Sequence, residues 1–567
     1  MTVGLVGAGP GIAAVRAALD DVGAETDRRE AAHLGTPDLA VVAGPTSGRV
    51  FERVNGHALA NDLRWFAVEL GGVGGAPVVN AAVSGFAPDT GCYECLGGRV
   101  AANRDQAGDP AGSPPAHATR FAGAVAGREA ARYAAGEASF GRVTEVPYAT
   151  REFLPLPNCA CAAGTDWRLA RGDADPDLQA ALARAERAVD DRLGVVREVG
   201  EAESFPAPYY LARACDTSGF SDVAAGSDAA GVAPGWDAAF MKSLGEALER
   251  YCAGVYRAAS LETGRAGDVP DAVPPSAFVC DGDPHPHPGA ERAWVRGEYL
   301  ATGDTVRLPA EFVYYPPPSR ECRPPTTTGL GLGNSGVGAL LAGLTEVVER
   351  DAAMLSWYST YEPLGLEVSD SGYETLADRA RSEDLSATAL LLTQDVDVPV
   401  VAAAVHREEW PAFAVGSDAD PDPERAARSA LAEALQNWME LRGMGPDGAA
   451  DASGAIGRYA EFPPAARAFV DPETVVPAGS VGPDDPPGGR EALEALLDAL
   501  DGAGLEAYAV RTTARDVGTL GFEAVRVLVP RAQPLFFGDA YFGERAASVP
   551  RSLGFEPDPG RDHHPFP

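Results

Sequence analysis

Two segments of the chain carry the same acidic pattern, and this pattern constrains the fold and its chemistry more than any other feature. Residues 245–251 and 345–351 each contain Glu-x-x-Glu-Arg within an Ala- and Leu-rich run that is typical of a buried helix. Glutamates three apart on a helix share one face, and carboxylates in apolar surroundings are costly unless they are paired or coordinate metal. The two pairs therefore predict a single divalent cation cluster, and Mg²⁺ suits it because Mg²⁺ takes oxygen ligands together with substrate phosphates. The predicted ligands are Glu246, Glu249, Glu346 and Glu349.

Length and charge limit the class of protein. The chain has 567 residues, which predicts two or three domains. Its net charge of −36 argues against nucleic-acid binding, because phosphate recognition needs a basic surface. Lys242 is the one lysine, and the acidic residues are dispersed rather than gathered in a tail. This composition indicates adaptation to a salt-rich cytoplasm, where screening reduces self-repulsion.

The sequence predicts a cytoplasmic protein without a membrane-spanning helix. No run of eighteen apolar residues is present, and the amino-terminal strand-like run at residues 3–6 has no basic region before it and no cleavage site. Eight cysteines in a chain of this length do not resemble a secreted disulfide framework.

Residues 1–165 are expected to form an α/β domain. Apolar runs at 3–6, 38–44 and 76–80 indicate buried strands. A glycine turn, residues 7–11, follows the first run and precedes an Ala-rich helix. Such a turn can bind a phosphate at the helix N-terminus, but the third fingerprint position is Ile12 rather than glycine, so a structural turn is favoured.

The rest of the chain is expected to be a helical linker followed by an α+β domain. The linker covers residues 166–192 and the α+β domain covers 193–567. Three marked helices are predicted near 237–257, 338–357 and 422–442, and the two acidic helices hint at internal duplication. The third helix places Glu433 and Gln436 on one face, where the amide can contact a base or ribose and the carboxylate can complete a metal shell.

Four of the cysteines are close in sequence and indicate a zinc site. Cys92 and Cys95 form one pair, and Cys159 and Cys161 form another within the same predicted domain. Four thiolates satisfy structural Zn²⁺, and the alternative is four unrelated buried cysteines. The other four are interpreted as unpaired core residues. They are Cys215, Cys252, Cys280 and Cys322.

Three stretches resemble the nucleotide-binding signatures of the YcaO family. They are residues 244–251, residues 333–335 leading into 344–352, and residues 425–436. Residues 564–567 are similar to the proline-rich tail of its cyclodehydratase, SagD-like branch. Residues 1–165 resemble a shortened E1-like (ThiF/MccB-type) domain, chiefly through residues 91–96 and Arg99. The resemblance implies an α+β YcaO fold preceded by a small α/β Rossmann-like domain.

The resemblance also implies an activity, its cofactors and its site residues. YcaO enzymes use ATP and Mg²⁺ to phosphorylate a peptide-backbone amide oxygen after a Cys, Ser or Thr side chain has attacked the carbonyl, and loss of phosphate leaves an azoline. In a thioamide-forming branch, external sulfide is the nucleophile. By resemblance the four glutamates hold Mg²⁺, Arg350 contacts phosphate, Asn334, Glu433 and Gln436 contribute to the nucleotide site, and Pro567 orders the active site. The four clustered cysteines would hold structural Zn²⁺.

The chain departs from the family pattern around the first acidic helix. A serine usually lies four residues before the first glutamate, but here Lys242 takes that position and Ser243 is displaced by one. One interpretation is that Lys242 supplies a phosphate-binding cation, and the other is that it is solvated beside a helix start. The turn at residues 333–338 lacks an acidic residue that is common in the family.

The expected partners follow from the same resemblance. The substrate is a peptide or protein, and the usual winged-helix reader of leader peptides does not precede the first strand. A separate recognition protein is therefore expected for a cyclodehydratase, and a sulfur-delivery protein for a thioamide-forming enzyme. A homodimer is also expected. The third hypothesis is a catalytically weakened scaffold that binds the precursor for an active homologue.

Overall fold

The computed structural model describes residues 1–46, 48–104, 114–147, 149–161, 166–174, 177–282, 289–451 and 455–567. The described chain contains four β-sheets of seven, three, six and five strands. None of its helices is both long and apolar enough to cross a lipid bilayer.

The first sheet belongs to the amino-terminal part of the chain. Its elements in chain order are β1 (Thr2–Val6), α1 (Pro10–Asp21), β2 (Glu25–Arg29), β3 (Leu39–Pro45), α2 (Arg49–Ala60), β4 (Trp65–Leu70), β5 (Ala81–Phe86), α3 (Tyr93–Ala102), α4 (Ala116–Ala134), β6 (Arg142–Glu145) and β7 (Ala149–Glu152). The strand order is β2-β1-β3-β4-β5-β6-β7. The pairings among β1, β2, β3 and β4 are parallel, and the pairings from β4 to β7 are antiparallel.

Two of the three predicted strands in this region are confirmed, by β1 and β3. The prediction of a strand at residues 76–80 is wrong, because this run lies in the loop between β4 and β5. The loop is held by Glu69, whose carboxylate accepts hydrogen bonds from the backbone N–H groups of Gly74 and Gly75 at 2.7 Å each. Both glycines have positive φ angles, so the chain turns back here instead of extending.

The glycine turn after β1 is a connection between strand and helix. Gly7 and Gly9 have φ angles of 112° and 89°, which a residue with a side chain rarely adopts. Helix α1 begins immediately afterwards at Pro10, where a missing N–H is tolerated. The turn thus joins β1 directly to α1.

Three further sheets and the remaining helices make up the rest of the chain. In chain order the elements are α5 (Leu178–Ala185), β8 (Val196–Glu203), β9 (Tyr209–Ala214), β10 (Asp228–Val232), α6 (Trp236–Gly254), β11 (Glu262–Arg265), β12 (Glu291–Tyr299), β13 (Thr305–Pro309), α7 (Ala310–Val313), β14 (Leu330–Gly333), α8 (Gly336–Trp357), β15 (Leu364–Glu367), α9 (Ser371–Arg381), β16 (Ser386–Leu391), β17 (Val400–His406), β18 (Phe413–Ala419), α10 (Pro423–Asp451), α11 (Ala455–Tyr459), α12 (Pro464–Phe469), β19 (Val475–Pro477), α13 (Gly489–Gly502), β20 (Tyr508–Arg511), α14 (Arg515–Thr519), β21 (Glu523–Leu528) and α15 (Arg545–Ser552). The sheet orders are β10-β9-β8, then β11-β12-β20-β21-β14 with β13 paired to β12, and β18-β17-β16-β15-β19.

The three marked helices of the sequence are present as α6, α8 and α10. Ser335 caps α8, because its hydroxyl accepts a hydrogen bond from the backbone N–H of Gly338 at 3.1 Å. Helix α10 is interrupted at Gly445, whose φ of 72° is not helical. The predicted linker, residues 166–192, contains α5, whose N-cap Asp177 accepts a hydrogen bond from Ala180 N.

Each of these helices directly follows a strand and packs closely against it, in the units β10–α6, β14–α8 and β18–α10. A glycine in the strand faces the helix backbone in every unit, at Gly231, Gly331 and Gly416. A Cβ atom at any of these glycines would overlap main-chain atoms of the helix, so the strand and helix approach more closely than a side chain allows. The hint of duplication in the sequence thus corresponds to three similar strand–helix units.

The interpretation of Cys280 and Cys322 as unpaired core residues is wrong, because they form a disulfide with a Cα–Cα distance of 4.8 Å. The stacked rings of Phe278 and Phe312, with centroids 4.1 Å apart, lie in the same apolar cluster and bring the two segments together. Cys215 and Cys252 are buried free thiols, as predicted.

Candidate functional site

The three strand–helix units place their acidic side chains around one cavity of about 560 Å³. Helices α6, α8 and α10 and strand β18 supply the acids, and residues 326–328 and Pro567 complete the wall. The carboxylates that line it are Glu246, Glu249, Glu346, Glu349, Asp418 and Glu433. Two arginines, Arg250 and Arg350, line it as well. Six acids against two cations leave an excess of negative charge that the lining itself does not neutralise.

One glutamate of each helix accepts a hydrogen bond from a backbone N–H group. The donor lies in the preceding strand in two units and immediately before that strand in the third. The bonds are Ala230 N to Glu246 Oε2 at 2.6 Å, Gly329 N to Glu346 Oε2 at 2.9 Å and Ser417 N to Glu433 Oε2 at 2.7 Å. In the three units the donor and acceptor are 16, 17 and 16 residues apart. Each carboxylate therefore keeps one oxygen on the protein backbone and has a second oxygen for other partners.

Burial and mutual repulsion raise the pKa values of these carboxyl groups. Burial, followed by the charges of Glu346 and Glu246, raises the pKa of Glu249 to about 8. Burial likewise raises the pKa of Asp418 to about 7. The pKa values of the other four are raised with burial as the largest cause. Carboxylates that share a buried site in this way favour the binding of cations.

Arg350 connects two of the helices with the end of the sequence. Its Nη1 donates a hydrogen bond to the carbonyl oxygen of Pro567 at 2.8 Å. Its Nε lies 3.5 Å from Glu349 Oε1, and its Nη2 lies 4.0 Å from Glu433 Oε1. The Ser417 hydroxyl donates to Glu349 Oε1 at 2.6 Å. Arg350 is therefore fixed on the cavity wall by partners on three sides.

Two further charged residues were not found by sequence reasoning, one that lines the cavity and one that interacts electrostatically with Glu346 of its wall. Asp418 lies in β18, and the buried Arg526 lies in β21, where it donates to the carbonyl oxygens of Thr327 and Thr326 at 2.9 and 3.0 Å. The charge of Glu346 opposes the effect of burial on the Arg526 pKa, which is lowered to about 10. Asp418 is the one charged residue of β18, which is a signal for it, whereas β21 carries both Glu523 and Arg526 and gives no comparable signal.

Of the remaining candidate residues, Gln436 lines the cavity, and Lys242, Ser243 and Asn334 do not. Gln436 lines it and donates a hydrogen bond to Glu440 at 3.0 Å. Lys242 is exposed on α6, and its charge lowers the pKa of Asp418 against the larger effect of burial. Ser243 is buried with its hydroxyl donating to the Phe240 carbonyl, and Asn334 accepts a hydrogen bond from Arg184 at 2.6 Å. Neither Ser243 nor Asn334 is among the residues that line the cavity.

The donor set of the cavity fits Mg²⁺ bound together with phosphates. All six acids offer hard oxygen ligands, and Mg²⁺ is usually held by a few carboxylates plus substrate phosphates rather than by a closed protein cage. In the part of the chain that the structure describes, the one group of three or more potential ligands close enough to share an ion is a cysteine group. The carboxylates surround an open space instead, which leaves room for a phosphate-bearing ligand.

The cysteine group is the second candidate cation site. Sγ atoms of Cys92, Cys95, Cys159 and Cys161 all lie within 4.8 Å of one another. Three of the Sγ–Sγ distances are 3.8, 3.6 and 3.5 Å. Tetrahedral zinc with Zn–S bonds of about 2.3 Å requires Sγ–Sγ distances of roughly 3.8 Å, so the group fits zinc. A hydrogen bond from Cys159 lowers the pKa of Cys92 to about 7, which favours a thiolate.

Comparison with known families and proteins agrees with this geometry. The family model described as YcaO cyclodehydratase, ATP- and Mg²⁺-binding, matches residues 230–533. An uncharacterized protein of Methanothermobacter thermautotrophicus is 27% identical over 320 residues, which cover 53% of this chain and 81% of that protein. An uncharacterized protein in the tfuA 3′ region of Rhizobium leguminosarum bv. trifolii is 29% identical over 164 residues, covering 26% of this chain and 39% of that protein.

Solved structures with the same fold extend the likeness to nearly the whole chain. A heterocyclase in complex with substrate and cofactor matches 98% of this chain and 83% of its own, with a TM-score of 0.72 and 20% identity. The heterocyclase TruD matches 98% of this chain and 81% of its own, with a TM-score of 0.63 and 18% identity. The predicted fold class, an α+β domain preceded by a small α/β domain, is confirmed.

Proposed function

We propose, because the chain belongs to the YcaO family, that it activates peptide-backbone amides by ATP- and Mg²⁺-dependent O-phosphorylation and forms azoline rings from Cys, Ser or Thr residues. The observation that carries the proposal is the cavity in which three similar strand–helix units present six carboxylates beside Arg350. An excess of acids, of which Glu349 is buried and the other five are partly buried, favours cations that arrive with a phosphate-bearing ligand.

The proposed Mg²⁺ ligands are the paired glutamates of the two acidic helices. Glu246 and Glu346 are oriented by backbone hydrogen bonds, whereas Glu249 has a raised pKa because Glu346 and Glu246 repel its charged form. Glu349 is buried and oriented by the Ser417 hydroxyl. When bound, Mg²⁺ would neutralise charge on the phosphates and hold them in line with the acceptor oxygen.

Arg350 and Pro567 are proposed to act on the transferred phosphoryl group. The Arg350 guanidinium is planar and remains charged, which suits it to phosphate oxygens. Its hydrogen bond to the Pro567 carbonyl fixes its orientation before any ligand binds. Pro567 would thus act as a positioning residue, and Glu433 and Gln436 would contact the nucleotide from α10.

The chemistry balances as a transfer of one oxygen from the peptide to phosphate. The side-chain thiol or hydroxyl of the substrate adds to the preceding amide carbon and loses its proton, and the amide oxygen takes the γ-phosphoryl group of ATP. Loss of the amide N–H proton and of inorganic phosphate then leaves a C=N bond in a five-membered ring. The products are azoline, ADP and phosphate, and the peptide is lighter by one water.

Two other functions use the same site. In thioamide formation, sulfide delivered by a partner protein replaces the amide oxygen through the same phosphorylated amide. In the scaffold hypothesis, the chain binds peptide without turnover. The paired acids and the fixed Arg350 favour an enzyme, because a scaffold has no need of like charges gathered in a buried cavity at a cost in stability.

The decisive experiment measures phosphate release from ATP with Mg²⁺ in the presence of Cys- and Ser-containing peptides, together with the mass of the peptide product. Peptide-stimulated release with loss of one water is the expected result. Glu346→Gln should abolish it, and Glu494→Gln, at an exposed position on helix α13 outside the cavity, is the matched control. Exchange of oxygen for sulfur would indicate the thioamide reaction, and no turnover with any peptide would favour the scaffold.

Lys242 has its own test. If it supplies a phosphate-binding cation, Lys242→Ala should raise the KM for ATP by about five-fold or more, as expected when a partly exposed charge contact of about 1 kcal/mol is lost. Lys242→Arg should restore most of the affinity because it keeps the charge. An unchanged KM in Lys242→Ala would show that the side chain is only solvated.

A further inference from the structure

A second cavity, of about 590 Å³, lies outside the acidic site. We call it the arginine groove. It is lined by parts of β11, β12 and β20, by the residues that follow α6, and by the segment from Thr512 to Arg515. Helix α6 connects the two cavities, because Glu249 lines the acidic cavity and Val255 lines the arginine groove. Six residues of helix correspond to about 9 Å along its axis.

The groove opens at a gap in the pairing of β12. Trp294 pairs with Glu262 of β11 and with Pro309 of β13. Glu298 pairs with Thr305 of β13 and with Ala509 of β20. Strand β13 therefore occupies one side of β12 from Trp294 to Glu298, and β11 and β20 share the other side.

Residues 295–297 have no pairing partner on the side of β11 and β20 among the described strands. Val295 and Arg296 line the groove at this point. An unpaired strand edge presents backbone N–H and C=O groups that can bind an extended peptide.

The charge of the groove is the reverse of the charge of the chain. The whole chain has 46 basic and 82 acidic residues. Two acids, Asp166 and Glu262, line the groove, against five arginines. These are Arg257, Arg296, Arg307, Arg511 and Arg515. The lining of the groove therefore carries a net positive charge, in contrast to the acidic chain as a whole.

One arginine of the groove has no partner among the residues that the structure describes. Arg257, Arg307 and Arg511 pair with Asp222, Glu262 and Glu523 at 2.8, 2.7 and 2.8 Å. Arg515 donates to Cys161 Sγ at 3.2 Å. Arg296 is exposed and makes no hydrogen bond or ion pair with any described residue. It remains available for a ligand from outside.

We infer that the arginine groove binds an acidic, extended peptide segment, with carboxylates on its arginines and backbone hydrogen bonds to the open edge of β12. The identification of that segment as part of the peptide substrate rests on the proposed function. Arginine suits carboxylates because its planar fork donates two parallel hydrogen bonds. A nucleic acid is disfavoured because the net charge of −36 repels a long polyanion.

The test is fluorescence anisotropy with a fluorescein-labelled octapeptide of alternating Glu and Val, and with a matched Lys-Val octapeptide. The full chain is expected to bind the Glu-Val peptide and not the Lys-Val peptide, and the affinity should fall as NaCl is raised. Arg296→Glu should weaken binding about ten-fold, because it replaces an attraction by a repulsion. Arg120→Glu makes the same charge change on an exposed helix outside the groove and should bind like the wild type.

A second variant, Arg257→Gln, is expected to weaken binding about three-fold, since it removes a charge without reversing it. Equal affinity of Arg296→Glu, Arg257→Gln and the wild type would overturn the inference. Binding of the Lys-Val peptide with the same affinity, or competition by free glutarate as effective as by the unlabelled peptide, would overturn it as well.

Two measurements distinguish a failure of the groove inference from a failure of the proposed function. ATP- and Mg²⁺-induced thermal stabilisation reports on the acidic cavity and should be the same in Arg296→Glu and the wild type. Arg296-dependent peptide binding without phosphate release would support the groove and count against the enzyme. Phosphate release in the absence of Arg296-dependent peptide binding would support the enzyme and overturn the groove inference.

Discussion

The cysteine group and the acidic cavity are both suited to cations, but they are built in opposite ways. The four Sγ atoms lie within 4.8 Å of one another, so a single ion can satisfy them all at once. The six carboxylates line a space of about 560 Å³, and three of them, Glu246, Glu346 and Glu433, are held by backbone hydrogen bonds. The first arrangement is a closed set of soft ligands, and the second is an open set of hard ligands.

This difference predicts that the two sites affect stability in opposite directions. A closed thiolate site contributes its metal-binding free energy to folding. Buried carboxylates whose pKa values are raised lower the stability of the ligand-free protein, because their charged forms are disfavoured by burial and by one another. The cysteine group is therefore expected to maintain the fold, and the acidic cavity to reduce stability in exchange for catalysis.

The largest expected effect is on turnover in the acidic cavity. Glu249→Gln keeps the shape of the side chain but removes a metal ligand, so phosphate release should fall by about a hundred-fold or more, in the range of a lost electrostatic stabiliser. The Tm of the ligand-free variant should rise, because the repulsion by Glu346 and Glu246 disappears. A lower Tm together with unchanged turnover would contradict both the proposed role of Glu249 as a metal ligand and the expected destabilisation by the acidic cavity.

The second prediction concerns the cysteine group. Cys95→Ser removes one of four ligands at a fully buried position, and the stability of the protein should fall by about 3 kcal/mol or more. Elemental analysis should find about one zinc per chain in the wild type and much less in the variant. Cys215→Ser, which changes a buried thiol outside the group, is the control for the cost of the substitution itself. A wild-type protein without metal and a variant of equal Tm would exclude a structural site.

The third prediction tests whether the two regions are mechanically connected. Tyr251, which follows Arg250 in α6, donates a hydrogen bond to Asp516 at 2.6 Å, and Arg99 of α3 forms a buried ion pair with the same carboxylate. Arg515, the residue before Asp516, donates a hydrogen bond to Cys161 Sγ. Tyr251→Phe should therefore cost about 1–2 kcal/mol of stability, since the Asp516 carboxylate loses a buried donor.

Combining Tyr251→Phe with Cys95→Ser in a double-mutant cycle gives the measure of that connection. A connected network predicts that the combined loss of stability differs from the sum of the two single losses by at least about 0.5 kcal/mol. Strict additivity would mean that the cysteine group and α6 are independent.

The last prediction concerns the dependence of stability on pH. The pKa of Glu249 is raised from 4.5 to about 8, so the folded protein holds a proton that the unfolded chain has lost. The stability of the ligand-free protein should therefore fall as pH rises from about 4.5 to about 8 and level off above that. Mg²⁺ binds ionised carboxylates, so the Tm increase caused by Mg²⁺ and ATP should grow over the same range. A Tm increase that does not change with pH would contradict the raised pKa of Glu249. A pH dependence of stability that is the same in Glu249→Gln and the wild type would contradict it as well.

The helices of the site could be predicted from sequence because their signal is local. An Ala- and Leu-rich run with Glu at i and i+3 fixes both the helix and the shared face, and α6 and α8 place Glu246, Glu249, Glu346 and Glu349 as expected. The cysteine pairs were also visible, because two close pairs within one domain have few other uses. Local patterns of this kind do not depend on the rest of the fold.

The contributions that sequence reasoning missed depend on long-range contacts. Arg526 lies in a strand that is 180 residues from Glu346 in sequence, and the charge of Glu346 acts on its pKa. The Cys280–Cys322 disulfide joins segments 42 residues apart. The strand predicted at 76–80 is a loop because Glu69 binds Gly74 and Gly75, which an apolar pattern does not reveal. The roles of Ser243 and Asn334 in nucleotide binding stay predictions.

The three strand glycines have a consequence for ligand choice. Because Gly231, Gly331 and Gly416 bring main chain directly against main chain, the helices that bear the acids cannot slide or roll on their strands without steric overlap. The width between the carboxylates is therefore set by backbone and not by adjustable side chains. A change of nucleotide or metal preference would have to arise in the adaptable parts of the wall, which are the threonine loop at residues 326–328 and the Pro567 end of the sequence.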